Sequence, residues 1–180
     1  MADYFTEIMK AKDEALKNSK KTILAVWDEW AKMFGRTYKP VETYKAEGAE
    51  TLLLTMGSMG ETAEVAIDEL QAKGLSVGLI KLRLWRPFPF EELKEVVKKA
   101  KKLIVTDRAV SFGGPGGPVF SEIKSALYHE EERPIICNYI IGLGGRDVAV
   151  TDFIGMIERV VQEDIKKIAD TYEFWGVREK

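Results

Sequence analysis

From Glu50 onward the chain alternates short apolar runs with amphipathic, charge-flanked segments. This alternation restricts it to an α/β sandwich of buried strands covered by helices. Thr51 to Met56 reads as a strand, Glu61 to Lys73 as a helix closed by Gly74, and Val77 to Leu84 as a second strand. Pro89 stands where the next helix begins; Glu91, Glu92 and Glu95 favour its N-terminal half, and Lys98, Lys99, Lys101 and Lys102 complement its C-terminal dipole. Leu103 to Thr106 is the next strand. After a Gly/Pro-rich loop, Val119 to Tyr128 reads as a helix and Ile135 to Ile141 as the last strand, with Thr151 expected to cap a helix reaching about Tyr172.

The preceding segment has a different period. Ile23, Val26, Trp27, Trp30, Met33 and Phe34 recur at steps of three and four, while Lys20, Lys21, Asp28, Glu29 and Lys32 fill the other face. Gly35 suits a C-cap. A helix starting near Tyr4 would span about 45 Å, more than a domain of this size needs to cover its own sheet, so part of it is expected to serve a neighbour. The stripe reads as core rather than a nucleotide platform, with Trp27 and Trp30 packing on the sheet or a neighbour. Val41-Glu42-Thr43-Tyr44, after Pro40, reads as an edge strand. The expected organisation is a helical segment over residues 1–40 and an α/β unit over 41–180.

Composition removes whole classes of function. Lys+Arg 27 against Asp+Glu 29 leaves a net charge of -2, so no basic field invites nucleic acid. One cysteine, Cys137, and one histidine, His129, cannot build a disulfide framework, a zinc site or a Cys-ligated iron–sulfur cluster. Cys137 is expected to be buried and inert. No apolar run approaches the roughly 20 residues of a membrane span, and Met1-Ala2-Asp3-Tyr4 lacks the regions of a signal peptide. A cytoplasmic setting is therefore expected, without membrane or nucleic-acid partners.

Three glycine-containing loops follow strands, at the carboxyl edge where open α/β sheets bind ligands. They are Gly57-Ser58-Met59-Gly60-Glu61-Thr62, Phe112-Gly113-Gly114-Pro115-Gly116-Gly117-Pro118 and Gly142-Leu143-Gly144-Gly145-Arg146-Asp147. Exposed amides there could hold a phosphate or carboxylate, or the glycines could simply permit tight turns. Candidate anion-site residues are Gly57, Ser58, Gly60, Arg108, Gly113, Gly114, Gly144, Gly145 and Arg146. No dinucleotide fingerprint or P-loop is present. Ser58, Asp107 and His129 follow the chain order of a hydrolase triad, but Met56 stands where a nucleophile elbow needs glycine, and His129 lies in a solvated His-Glu-Glu-Glu run. Ser58 reads better as a helix N-cap. Arg83, Arg86, Arg108 and Arg146 could recognise anions or pair with carboxylates inside the domain or across a subunit contact.

Ala49 through Asp147 resembles the C-terminal, transketolase-C-like domain of the alpha subunit of pyruvate:ferredoxin oxidoreductase and related 2-oxoacid:ferredoxin oxidoreductases. The resemblance rests on Thr55-Met56-Gly57-Ser58, Leu82-Arg83-Leu84-Trp85-Arg86-Pro87-Phe88-Pro89, Asp107-Arg108-Ala109-Val110-Ser111-Phe112-Gly113 and Gly142-Leu143-Gly144-Gly145-Arg146-Asp147-Val148. The stretch with Phe34-Gly35-Arg36 is similar to the helical segment that joins this domain to the thiamine-binding one. The resemblance implies a three-layer α/β/α sandwich with a mostly parallel sheet of about five strands, Val41 to Thr43 being an antiparallel edge strand. It implies a whole enzyme that uses thiamine diphosphate, magnesium and iron–sulfur clusters to convert a 2-oxoacid and CoA into acyl-CoA, CO2 and reduced ferredoxin or flavodoxin. It also implies beta, gamma and delta type subunits or domains as partners, in a homo-oligomeric assembly.

The groups that bind those cofactors in the family have no counterparts in this chain. The expectation is a non-catalytic assembly domain of a pyruvate synthase-type enzyme, silent alone, with no catalytic residue, metal ligand or cofactor of its own. The alternative is a module that binds an anionic small molecule, such as CoA or an effector, through the carboxyl-edge loops.

Overall fold

A computed structural model describes residues 4–163 and 172–178. The long helix α1 spans Phe5–Phe34 and ends at Gly35, whose left-handed φ of 68° lets its N–H bond back to Ala31. Strand β1 (Val41–Tyr44) follows, then β2 (Thr51–Met56), α2 (Met59–Ala72), β3 (Val77–Leu82), α3 (Phe90–Val97), β4 (Lys102–Asp107) and α4 (Pro118–Leu127). Strand β5 (Ile135–Ile140), α5 (Val150–Gln162) and β6 (Tyr172–Phe174) complete the described chain. Among the described residues the sheet has six strands in the order β1-β3-β2-β4-β5-β6; β1 is antiparallel to β3, and the other pairings are parallel.

Both faces of the sheet are covered. Leu53, Leu79 and Ile104 pack with Ala63, Ile67 and Leu70 of α2 and with Phe153, Met156 and Val160 of α5. On the other face, Leu54, Ile80 and Val105 pack with Leu93 and Val97 of α3 and with Phe120, Ile123 and Leu127 of α4. Apolar side chains on both faces explain why the central strands read as continuous hydrophobic runs rather than alternating ones. Each fully buried Leu, Ile or Val contributes on the order of 1.5–3 kcal/mol relative to exposure.

The sequence expectation differs from this architecture in four places. The sheet has a sixth strand: Tyr172 belongs to β6, not to the last helix, which ends at Gln162. The part of that expected helix over residues 164–171 lies outside the described residues. Thr151 sits inside α5, where Asp152 does the capping by accepting a hydrogen bond from the Ala149 N–H at 2.8 Å. Lys102 begins β4, and its ammonium donates at 2.6 Å to the Val160 carbonyl near the end of α5 rather than serving α3. Finally, α1 contains no buried residue, so its stripe is not core: Trp27 is half-buried near Tyr38, while Trp30 is exposed and packs on Phe34. Among the described residues no helix is long and apolar enough to cross a membrane.

A methyl group at Gly78 in β3 would lie 2.6 Å from the Ala46 Cα and 2.8 Å from the Lys45 carbonyl oxygen. Backbone cannot yield cheaply there, so Gly78→Ala is expected to cost about 1–3 kcal/mol, read as a lower denaturation midpoint.

Cys137 in β5 is buried, which pushes its thiol pKa up to about 12. The unfolded thiol titrates near 8.5, so this contribution is complete below about pH 8.5 and is lost as pH climbs toward the folded value. Burial shifts Tyr139 in the same direction. Stability should therefore fall as pH rises from about 9 to 11, and less steeply in Cys137→Ala, as measured by denaturant titration at each pH.

Candidate functional site

Strand order sets where a site can form. The β2-α2-β3 connection leaves β2 on one side, and the β3-α3-β4 connection returns across it to place β4 on the other. Helices α2 and α4 therefore start from adjacent strand ends and run over opposite faces, which makes the carboxyl ends of β2 and β4 the topological switch point.

The last residue of β4 occupies this position. Asp107 is only 2% exposed; its Oδ1 accepts a hydrogen bond from the Val119 N–H at 2.9 Å, and its Oδ2 accepts from the Phe120 N–H at 3.1 Å. The Asn138 side-chain amide of β5 donates to the same Oδ2 at 3.0 Å, while the Asn138 Oδ1 accepts from the Gly117 N–H at 2.9 Å. Burial pushes the Asp107 pKa above the ordinary carboxyl range, and the three donors pull it back. The first N–H groups of α4, which could otherwise receive an external anion, are thus met by the chain's own carboxyl group. Gly117 is required by this packing, because a Cβ there would fall 2.1 Å from the Asp107 Cγ.

The remaining candidates form two groups. Gly57 turns the chain with a φ of 68°, and Ser58 takes the N-cap position of α2 without a side-chain cap bond. Gly60 is buried because the Lys81 side chain runs beneath it, 2.7 Å from where a Cβ would stand, to reach Glu64 at 2.5 Å. Arg108 donates through Nε and Nη2 to the Gly142 carbonyl at 3.4 and 3.3 Å. A Cβ on Gly142 would also meet Met59 at 2.9 Å, so the first and third glycine loops come together there beside Arg108. Gly113 and Gly114 form a tight turn, closed by the Gly114 N–H on the Ser111 carbonyl at 2.8 Å, that leaves Phe112 91% exposed. Gly144 and Gly145 carry positive φ in the turn before Arg146, whose guanidinium donates to the Gly176 carbonyl. Asp147 is exposed and makes no hydrogen bond among the described residues.

Other cations pair internally: Arg83 with Glu42 at 2.9 Å and Arg86 with Glu122 at 2.5 Å. The triad does not assemble. Asp107 is committed to α4, and His129 is exposed beyond the opposite end of that helix, against Tyr128.

Sequence reasoning missed the anchoring of the segment after β6. The Trp175 indole N–H donates to Asp152 at 3.1 Å, and its ring lies where a Cβ on Gly155 would be, 2.9 Å from Cζ2. A glycine in the middle of an otherwise regular helix is the signal that could have indicated such a close approach.

Residues 49–153 match the family model described as pyruvate:ferredoxin oxidoreductase core domain II. The chain belongs to that family. Pyruvate synthase subunit PorA of Thermotoga maritima is 38% identical over 177 residues, covering 98% of this chain and 44% of that protein. The chain thus spans less than half the length of that relative. A solved 2-oxoglutarate:ferredoxin oxidoreductase from Magnetococcus marinus, with 2-oxoglutarate, coenzyme A and succinyl-CoA bound, superposes with a TM-score of 0.51 at 26% identity, covering 69% of this chain and 20% of that one. A split-gene transketolase, described as an inactive beta4 tetramer, gives a TM-score of 0.51 at 17% identity over 69% of this chain and 44% of its own, which supports the transketolase C-terminal-like fold. The matched residues 49–153 contain the three glycine loops and the buried Asp107.

Removing the Asp107 carboxyl leaves buried donors of α4 and Asn138 unpartnered. Asp107→Ala should therefore cost about 2–5 kcal/mol, and Gly117→Ala should also lower the melting temperature by displacing the same group. Thermal unfolding followed by circular dichroism reads both losses.

Proposed function

We propose that this core domain II is a non-catalytic assembly domain of a 2-oxoacid:ferredoxin oxidoreductase alpha subunit, working through its surfaces rather than through an active site. The observation that carries this reading is α1. At 100° per residue, Ile8, Leu16, Val26, Trp30, Met33 and Phe34 fall within an arc of about 100°, and all are exposed. Helix α1 meets the α/β unit through the adjoining face, where Leu24, Trp27 and Ala31 are half-buried and Lys20 pairs with Glu92 at 2.7 Å. An apolar stripe of this length, left uncovered beside a packed core, is the mark of a contact surface.

The cofactors of the family do not fit the described residues. Asp107 holds the N-terminal N–H groups of α4, the one cysteine is buried with its thiol pKa near 12, and among the described residues no cluster of three or more His, Cys, Asp or Glu is placed to hold a metal. Thiamine diphosphate, magnesium and iron–sulfur clusters are therefore assigned to other parts of the assembly, supplied by beta, gamma and delta type subunits or domains. The whole enzyme would turn a 2-oxoacid and CoA into acyl-CoA and CO2 and reduce ferredoxin or flavodoxin in the cytoplasm. The names of the compared proteins differ in the 2-oxoacid, pyruvate in one and 2-oxoglutarate in the other, so the substrate is proposed only as a class.

Trp30→Glu and Met33→Glu each place a charge in the proposed contact. Each should weaken association with the remaining subunits by about tenfold or more in sedimentation analysis, with no fall in the melting temperature of the chain alone. Assembly as tight as wild type in the double variant would overturn the reading, as would saturable thiamine diphosphate binding by the chain alone in calorimetry.

A further inference from the structure

Beyond the assembly role, a cavity of about 360 Å³ opens between the end of β5 and the segment after β6. Leu143, Phe174, Trp175 and Val177 give it apolar walls, and Arg146 and Arg178 supply its charge. Its lining contains no carboxylate, and neither arginine forms an ion pair among the described residues, so two like charges share one concave, partly apolar space. An anion is the complement such a space lacks. Arg146 is held by its bond to the Gly176 carbonyl, which uses one of its five N–H donors and orients the rest.

The wall is also rigid. Trp175 is pinned by its indole bond to Asp152 at 3.1 Å, by its backbone N–H on the Ile140 carbonyl at 3.0 Å, and by edge contact with Tyr139 at 5.5 Å between ring centroids. Because these groups are already ordered, a ligand need not bear the entropic cost of ordering them. The volume lies near the lower end of ligand pockets, about 300–1,000 Å³, which limits the occupant to a compact molecule.

We propose that this cavity binds a small organic anion, a carboxylate or phosphate monoester on a compact apolar group, with the charge between Arg146 and Arg178 and the apolar part on Phe174 and Trp175. The site is separate from the α1 surface, so its failure would leave the assembly reading intact. The test uses phenyl phosphate and phenylacetate as probes on the full chain, with the Trp175 indole N–H resonance, assigned through Trp175→Phe, as the reporter. At least one probe should shift that resonance saturably below about 10 mM, and the stronger binder identifies the preferred anion. Arg178→Gln should weaken that probe by about tenfold with an unchanged melting temperature, because Arg178 holds no other described group. Arg146→Gln should weaken it as well, with some loss of stability through Gly176. Failure of both probes to saturate wild type, or equal binding by Arg178→Gln, would overturn the proposal.

Discussion

One buried carboxyl group ties together the part of the sheet on which everything else depends. Asp107 ends β4, receives the first N–H groups of α4, and is braced by Asn138 from β5. Three elements distant in sequence are thereby fixed at the switch point of the sheet, in surroundings dry enough that each hydrogen bond is costly to lose. Gly117 has no side chain because the carboxyl group stands in its place. The packing of Phe120 and Ile123 beneath α4 follows from that anchorage.

The same interaction bears on what the domain can do. Open α/β sheets commonly present a helix N-terminus to a ligand at this point; here that terminus is met from within. Arg108 turns to the Gly142 carbonyl, and Arg146 reaches the Gly176 carbonyl, so much of the polar capacity of the carboxyl edge is spent on joining loops. Uncommitted surface remains along α1 and, at the β5 end of this edge, around Arg178. In the proposed assembly role the α/β unit is a rigid base, and α1 is the element whose apolar side remains to be covered.

What could be read from the sequence followed the range of the forces involved. Strands β2 to β5 and the helices between them were legible because each strand is a short continuous apolar run and each helix a local period, with their own start and stop residues. The likeness of Thr55-Met56-Gly57-Ser58 and Gly142-Leu143-Gly144-Gly145-Arg146-Asp147-Val148 to known oxidoreductases added the family and the antiparallel edge strand. Strand β6 was not legible: Tyr172–Phe174 is too short to show a period, and its place is set by pairing with Asn138–Ile140 and by the fit of Trp175 on Gly155. The commitment of Asp107 to α4 was equally hidden, since its partners stand 12 and 13 residues further on and no local motif announces them. Helix α1 misled in a different way. Its period was plain, but a period cannot tell a core from an interface.

Hydrogen exchange of the chain alone and within the assembled oxidoreductase tests the division between a self-satisfied sheet edge and an open helix most directly. Backbone amides of Val119 and Phe120 should be strongly protected in both states, whereas α1, with no buried residue to hold it, should exchange fast alone and slowly once assembled. Equal exchange of α1 in the two states, or rapid exchange at Val119 and Phe120 that slows only on assembly, would contradict the account.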